Sequence, residues 1–363
     1  MKQVPPSTPK KKVLAMARNT REGAPVSRRS VIRLGSSLAV GALVLTACSD
    51  TGNTEKTASG LTTVTFALDY LPGATHNGLA YAMQKGLFAK EGIKIKILPV
   101  GTTPSDALIG TGKAQFGFTS SYASALTDLA AGMSVKSIFL AMPHDPSAIS
   151  VLASSGITSP AGLAGKTYGG YGTPMELALV NSMIAKAGGH GAVKQVVLSV
   201  GSIEALKSKK VDAASTWPDD DYTATQDGTK FTKFQPTDYG VPANSGVLVL
   251  ANNSYAQKNP KIARGLAKAL REGYQAAIDD PKAANAALAA QFPSINRKLV
   301  DFTTGAQAKD MVNSDGPVGT QSVQKMQAYA DWMIKMGVLT GAGGKALKSF
   351  DVTPFVTNTY LPK

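Results

Sequence analysis

Short apolar runs alternate with longer amphipathic segments along most of this chain. The first runs with the length and the β-branched or aromatic content of strands are 64–68, 93–98, 116–118 and 135–141. Between them, apolar residues recur every three or four positions, as Leu79, Met83 and Leu87 do, which predicts helices. This alternation predicts an α/β fold with doubly wound, largely parallel sheets.

The same alternation appears a second time and is followed by a helical tail. The second set of predicted strands is 151–153, 166–168, 196–198 and 213–215, with a return strand at 247–250. The predicted helices are 79–90, 104–109, 122–131, 175–187, 203–208, 260–278, 281–291, 296–308 and 323–336. Two similar halves followed by helices predict two lobes, with the C-terminal helices packed back on lobe one. Ligands of such proteins bind beyond the carboxyl ends of strands or between lobes.

The N-terminal segment carries the pattern of an export signal. Arg28 and Arg29 are typical of twin-arginine export, although Val31 stands where that signal usually has Phe, so general secretory export is the alternative. The apolar run 34–47 is shorter than the roughly 20 residues that a membrane-spanning helix needs. The Leu-Thr-Ala-Cys sequence that ends at Cys48 resembles a bacterial lipobox, which predicts a lipid on this cysteine. The alternative for Cys48 is a buried free thiol.

These patterns divide the chain into five segments and predict its location. The predicted segments are an export signal (1–47), a lipidated tether (48–61), the first part of lobe one (62–150), lobe two (151–243) and the rest of lobe one (244–363). We therefore expect an exported lipoprotein that is held by Cys48 at the outer face of the cytoplasmic membrane.

Charge and cysteine content exclude several classes of function. The formal net charge is +14, but residues 1–47 hold nine Lys and Arg and one acid, so only six of these charges belong to the remaining chain. A charge this mild on 316 residues gives no reason to expect nucleic-acid binding. With a single cysteine at Cys48, and with His76, His144 and His190 scattered, we expect no disulfide and no metal site.

The first candidate site begins where the first predicted strand ends. Asp69 is able to accept hydrogen bonds, Tyr70 and Tyr81 offer aromatic ring faces, and His76 is able to donate or accept. The alternative is structural, because Asp69 and Thr75 are also typical of residues that order a loop or cap a helix.

Three further loops follow predicted strands. Ser120, Ser121 and Tyr122 come directly after the strand 116–118. In the second half, the glycine-rich stretch from Gly169 to Glu176 ends in a helix start; its candidate ligand residues are Tyr171, Thr173 and Glu176. The structural alternative for Glu176 is a capping box with Thr173.

The last candidate loop runs from Trp217 to Tyr222. Trp217 is one of two tryptophans and supplies another ring. The three aspartates 219–221 permit a metal site, but they are more typical of a helix start, where the helix dipole favours negative charge.

The order of these motifs resembles the thiamine-pyrimidine-precursor family of type II periplasmic binding proteins. Residues 69–81 are similar to that family's Asp-Trp-x-Pro-Asn-x-x-His-x-Gly-x-Tyr signature, with Tyr70 in place of the Trp and Gly73 in place of the Asn. Further similar segments follow at 85–92, 115–121, 168–176, 212–217, 239–242 and 273–281. The resemblance covers essentially the whole mature chain.

The resemblance implies a two-lobed type II periplasmic-binding-protein fold and a solute-binding protein that serves an ABC importer. The implied partners are a small ligand, a permease and its ATPase; we expect a monomer, no cofactor and no catalysis. In this family an acid in the position of Glu176 faces the ligand ring, and a residue near Trp217 helps to close the cleft. The family also includes pyrimidine synthases, an alternative of a different class. Those enzymes carry a cysteine-rich motif, whereas this chain has only Cys48.

The residue types in the four loops bear on the ligand. The loops 69–77, 119–122, 168–176 and 217–222 contain tyrosines, a tryptophan and acids but no Lys or Arg. Rings and acids suit a heteroaromatic ligand with amino groups, so we expect a thiamine pyrimidine precursor. The alternative is a sulfonate, taurine or nitrate anion held by Ser120, Ser121, Thr173 and helix N-termini. Tyr70 and Gly73 leave the exact ligand open.

Overall fold

The computed structural model describes Thr57 and residues 60–198 and 201–363. The predictions for Arg28, Arg29 and Cys48 lie outside the described residues. The strands are β1 (Thr62–Ala67), β2 (Ile93–Ile97), β3 (Phe116–Thr119), β4 (Val135–Leu140), β5 (Ala148–Leu152), β6 (Thr167–Gly170), β7 (Lys194–Val197), β8 (Ala213–Thr216), β9 (Phe231–Phe234) and β10 (Leu248–Asn252). They form two five-stranded sheets of order β2-β1-β3-β10-β4 and β7-β6-β8-β5-β9.

Helices cover both sheets, so the fold is α/β with two lobes, as predicted. The helices are α1 (Asn77–Gln84), α2 (Leu87–Lys90), α3 (Ser105–Gly110), α4 (Tyr122–Ala130), α5 (Pro174–Lys186), α6 (Ser202–Lys207), α7 (Pro218–Thr225), α8 (Asn253–Lys258), α9 (Pro260–Asp279), α10 (Pro281–Gln291), α11 (Arg297–Ala306) and α12 (Val323–Lys335). We call the first sheet with its helices lobe one, and the second sheet with α5, α6 and α7 lobe two. None of the helices in the described part of the chain is long and apolar enough to cross a membrane.

Both sheets are mixed, so the prediction of largely parallel sheets is wrong. In lobe one, β1 runs parallel to β2 and β3, whereas β10 runs antiparallel to β3 and β4. In lobe two, β6 is parallel to β7 and β8, and β5 is antiparallel to β8 and β9. The antiparallel strands are the ones next to the crossings between lobes: β5 follows the first crossing and β10 follows the second.

Lobe one is built around an aromatic core that joins its sheet to the C-terminal helices. Phe66 and Phe118 meet edge to face with ring centroids 4.9 Å apart, and Tyr274 of α9 packs on Phe118 and Phe139. The Tyr274 hydroxyl donates a hydrogen bond of 2.7 Å to the Thr75 carbonyl oxygen, which satisfies the buried phenol. The predicted packing of the C-terminal helices on lobe one is thus confirmed.

Two glycines allow α9 to approach α1 closely. A Cβ on Gly78 would lie 2.6 Å from the Tyr274 ring, and a Cβ on Gly273 would overlap the Gly78 carbonyl oxygen. Because α1 begins directly after the first candidate loop, this close packing fixes the base of that loop.

Local chain geometry explains where the predicted elements differ from the observed ones. The predicted helix 79–90 is two helices, because Gly86 has a left-handed φ of 64° between α1 and α2. Strand β9 and helix α8 were not predicted, since their sequences, Phe-Thr-Lys-Phe and Asn-Ser-Tyr-Ala-Gln-Lys, are short and rich in polar residues.

Candidate functional site

The predicted loops of the two lobes meet in one cleft. Tyr171 of lobe two is 73% exposed, and its hydroxyl lies near Tyr70 of lobe one and near Asp220 and Glu176. Partial desolvation, followed by the charges of these neighbours, raises the pKa of the Tyr171 hydroxyl. Tyr70 is itself 67% exposed, so both rings are free to contact a ligand.

The lobes also touch beside this cleft. The rings of Tyr222 in α7 and Phe302 in α11 are 5.5 Å apart, and Trp217 packs against the aromatic core of lobe one. The Tyr168 ring of lobe two belongs to the same buried cluster as Tyr122 and Tyr329 of lobe one. These contacts bring Trp217 to the boundary between the lobes.

The loop after β1 is held by a histidine rather than left free. The His76 Nε2 lies 3.0 Å from Asp69 Oδ1, and the Gly73 backbone N–H donates to His76 Nδ1 at 3.1 Å. Because Nδ1 accepts, we assign the ring proton to Nε2, which donates it to Asp69. His76 is 1% exposed and packs on Phe118, so it positions Asp69 from behind the loop.

The other candidate residues of lobe one include a helix cap, a buried tyrosine and a tyrosine on a helix. Ser121 caps α4, because its Oγ accepts from the Ser124 backbone N–H at 3.2 Å, and Ser120 lies 3.0 Å from Ser124 Oγ. Tyr122 is 3% exposed, and burial raises the pKa of its hydroxyl. Tyr81 lies in the second turn of α1, with Lys85 Nζ 5.5 Å from its ring centroid. Their ligand contacts stay predictions.

Sequence reasoning missed an acid pair beneath this edge of lobe one. Asp106 Oδ2 accepts from the Thr119 hydroxyl at 3.2 Å, while Asp106 Oδ1 is buried without a hydrogen-bond donor among the described residues. Burial, and then the neighbouring Asp128 carboxyl, raise the pKa of Asp106 well above its ordinary value. The only local signal, an acid in the first turn of a helix, is the pattern of an ordinary dipole contact.

The loop of lobe two is fixed by Glu176. The Glu176 Oε1 accepts from the Tyr171 N–H at 2.9 Å, and Oε2 accepts from the Thr173 N–H at 3.0 Å and from its hydroxyl at 3.1 Å. The Thr173 Oγ1 accepts in turn from the Glu176 N–H, so the capping box is confirmed. Gly172 has a left-handed φ of 85°, and a Cβ on Gly170 would clash with Glu176.

The aspartates of the last loop begin α7. Asp220 Oδ2 accepts from the Trp217 N–H at 2.8 Å, so the prediction of a helix start is confirmed. Burial raises the pKa of the Asp220 carboxyl despite that hydrogen bond. Within the described ranges, no three His, Cys, Asp or Glu residues are placed to hold a metal ion.

A cavity of about 120 Å³ lies between the lobes beside these loops. Its lining comes from lobe one (Ala123, Tyr329), from lobe two (Tyr168, Met175, Glu176, Leu179, Ser215) and from the crossings (Ser147, Asn244). The Asn244 Nδ2 donates to Asp145 at 2.9 Å, and the Asn244 Oδ1 has no partner among the residues described. A cavity of this order holds one aromatic ring, and its acceptors at Glu176 and Asn244 suit a ligand that donates hydrogen bonds.

Comparisons with known proteins agree with this architecture. The family model described as NMT1/THI5 like matches residues 74–284. The formylaminopyrimidine-binding protein of Halalkalibacterium halodurans is 27% identical over 82% of this chain and 92% of its own length. The 4-amino-5-hydroxymethyl-2-methylpyrimidine phosphate synthase of Uromyces fabae is 28% identical over 66% of this chain and 74% of its own. The solved alkanesulfonate-binding protein SsuA of Xanthomonas axonopodis pv. citri, bound to MOPS, superposes with a TM-score of 0.60 at 19% identity, covering 81% of this chain and 98% of SsuA.

Proposed function

Because the chain belongs to the NMT1/THI5 like family, we propose that it binds a small heteroaromatic solute, a thiamine pyrimidine precursor, between its two lobes. It then delivers this solute to the permease and ATPase of an ABC importer from the outer face of the cytoplasmic membrane, where a lipid on Cys48 anchors it. The relative from Halalkalibacterium halodurans, named for binding formylaminopyrimidine, supports this choice of ligand.

The observation that carries the proposal is the composition of the cleft. Exposed Tyr70 and Tyr171 offer rings from opposite lobes. Glu176 and Asn244 offer acceptors in the cavity between the lobes. The loops that face the cleft contain no Lys or Arg. Such a site attracts an amino-substituted ring, which stacks on tyrosine and donates hydrogen bonds to a carboxylate.

Lobe closure is the step that couples binding to transport. The chain crosses between the lobes twice, before β5 and before β10, and these crossings are where a hinge would act. A ligand held by Glu176 on one lobe and by the Tyr70 loop on the other favours the closed arrangement, because it contacts both sides only there. The closed pair of lobes then presents a new surface to the permease.

The second candidate is an anion of the sulfonate, taurine or nitrate class. It is favoured by the N-termini of α4 and α5, which begin directly after Ser121 and Thr173 of the candidate loops. The carboxylates of Asp69, Glu176 and Asp220 oppose it, because they repel an anion with no basic side chain in the loops to compensate. The likeness to SsuA is at 19% identity and concerns the fold.

A synthase activity is a weaker candidate, although one relative carries that name. Those enzymes carry a cysteine-rich motif, whereas the single cysteine of this sequence is Cys48. The proposed function therefore involves no bond making or breaking.

A thermal-shift panel on the purified protein separates these candidates. The panel contains 4-amino-5-hydroxymethyl-2-methylpyrimidine, formylaminopyrimidine, riboflavin, taurine, methanesulfonate and nitrate. A ligand present at 100 times its dissociation constant stabilises the folded state by about 2.7 kcal/mol. We expect a pyrimidine to raise the melting temperature. Stabilisation by taurine or methanesulfonate but by no pyrimidine would overturn the proposed ligand.

A further inference from the structure

A second cavity, larger than the one in the cleft, lies elsewhere in the described chain. It has a volume of about 400 Å³ and lies inside lobe one, behind the β1–α1 loop and among α1, α9, α10 and α11. It shares no lining residue with the cavity between the lobes. Its apolar wall consists of Ala74, Ala277, Ile278, Pro281, Ala308 and Met311.

One end of this cavity carries a chain of hydrogen bonds whose direction is fixed. Asp301 Oδ1 accepts from Asn285 Nδ2 at 2.9 Å, and a carboxylate has no proton to donate. The Asn285 Oδ1 therefore faces the other way, where it accepts from Thr304 and from Asn77 Nδ2, each at 3.0 Å. The orientation of the Asn77 amide follows, because its Nδ2 must face the Asn285 oxygen.

That orientation leaves Asn77 Oδ1 as an acceptor without a donor. Asn77 is 3% exposed and lines the cavity, and its Oδ1 is buried with no hydrogen-bond partner among the described residues. Buried polar atoms are normally paired, so an unpaired acceptor in a cavity wall indicates a missing donor. A group with an O–H or N–H would complete the chain that begins at Asp301.

Two basic side chains also line this cavity. Lys282 and Arg297 line it and are exposed, whereas Asn77 and Asn285 are deep. Arg297 Nε lies 3.7 Å from Asp301, and Lys282 has no ion-pair partner in the described part of the chain. The lining of the cavity thus offers a buried acceptor at Asn77, aliphatic side chains and an exposed cation at Lys282.

We propose that this cavity is a second small-molecule site, separate from the cleft. It takes a short aliphatic acid whose far end carries a hydroxyl or amide donor. The donor pairs with Asn77 Oδ1, the hydrocarbon part packs on the alanine and methionine wall, and the carboxylate remains near Lys282.

Gly305, an exposed residue that lines the cavity, provides a variant that adds bulk at the cavity without a clash. It lies in α11, and a Cβ at this position meets no atom within 4 Å. Both Gly305→Leu and Gly305→Ala replace a helical glycine by a better helix former. Leucine places four carbons in the open space, whereas alanine adds one, so the pair separates filling from helix stabilisation.

The test uses 6-hydroxyhexanoate and, as the matched probe without the donor, hexanoate. Binding to the purified protein is measured by calorimetry and by ligand-observed NMR. We expect 6-hydroxyhexanoate to bind at least fivefold more tightly than hexanoate, Gly305→Ala to retain this binding, and Gly305→Leu to weaken it at least tenfold. Formylaminopyrimidine in excess should leave it unchanged, since the cleft is a different site.

Three results would overturn the proposal. The first is equal affinity for the two acids, which would remove the role of Asn77. The second is undiminished binding to Gly305→Leu, which would place the ligand elsewhere. The third is the absence of binding of both acids, with only an ordered water on Asn77 Oδ1 in a high-resolution crystal structure.

Discussion

Replacing Glu176 by glutamine tests whether this carboxylate only caps a helix or also holds the ligand. Three of its roughly four acceptor positions are used by Tyr171 and Thr173, which leaves one for a ligand. Glutamine has only one side-chain oxygen, so its NH₂ group must face the backbone N–H of either Tyr171 or Thr173. One of these two hydrogen bonds is therefore lost. The negative charge at the N-terminus of α5 is lost as well.

The expected cost in stability follows from these contacts. Losing one charge-assisted hydrogen bond in this partly exposed loop costs about 1.5 kcal/mol, and losing the charge at the helix start adds about 0.5 kcal/mol. We therefore expect Glu176→Gln to lower the free energy of unfolding by about 2 kcal/mol. The control Thr173→Ala removes the helix cap and should cost about 1 kcal/mol.

Ligand affinity distinguishes a capping role of Glu176 from a ligand contact. Because both variants damage the same loop, a larger loss of affinity in Glu176→Gln than in Thr173→Ala reports the contact itself. A hydrogen bond from the ligand to an ionised carboxylate contributes about 1.5–3 kcal/mol, which corresponds to roughly 10- to 100-fold in the dissociation constant. We expect Glu176→Gln to lose at least tenfold in affinity for the pyrimidine and Thr173→Ala to lose about threefold or less. Calorimetry at a temperature where both variants are folded measures this. Equal losses in the two variants would refute a ligand contact by Glu176.

Three further predictions concern other parts of the molecule. The folded-state pKa of Asp106 is raised above its ordinary value of 3.8, so the folded state holds a proton that the unfolded state releases, and stability falls as the pH rises above about 4. Asp106→Asn should reduce the difference between the free energies of unfolding measured in urea at pH 5 and at pH 8. An unchanged difference would contradict the raised pKa of Asp106. Gly273→Ala should destabilise by about 1–3 kcal/mol, because its methyl group would meet the α1 backbone; in the same urea assay the control Gly305→Ala should be neutral or stabilising, and equal effects would contradict the close packing. Cys48→Ser should move the protein from the membrane fraction to the soluble fraction on cell fractionation, and continued membrane association would argue against a lipid on Cys48.

Local sequence patterns predicted most of the helices and strands, because their signals lie within a few residues. The amphipathic period of α9 (Pro260–Asp279) and the apolar run of β4 (Val135–Leu140) are visible without any tertiary contact. Strand direction is different, since it depends on where the chain goes next. The sequence pattern of β10 is the same whether it runs with β3 or against it, so the mixed sheets were not predicted.

In the candidate site too, contacts within one helical turn were predictable from the sequence, whereas contacts between distant residues were not. The Thr173–Glu176 spacing was sufficient to predict the capping box, because both partners lie in one helical turn. His76 was predicted to face the ligand, but whether it does so depends on Phe118, forty-two residues away, against which its ring is buried. Asp106 was not predicted at all, because its neighbours Thr119 and Asp128 come from other elements.

The α/β class, the two-lobed organisation, the motif order of the family and the acid- and tyrosine-rich loops were all evident from the amino-acid sequence. These follow from periodicity and from residue types at the ends of predicted strands, which are local properties of the chain. The folded arrangement was needed to see which loop residues reach the cleft and which ones support it from behind. It was also needed to see that Asn77 Oδ1 has no donor among the described residues. Burial and hydrogen-bond pairing are set by atoms that are distant in sequence, such as Asn77, Asn285 and Asp301, and no local pattern records them.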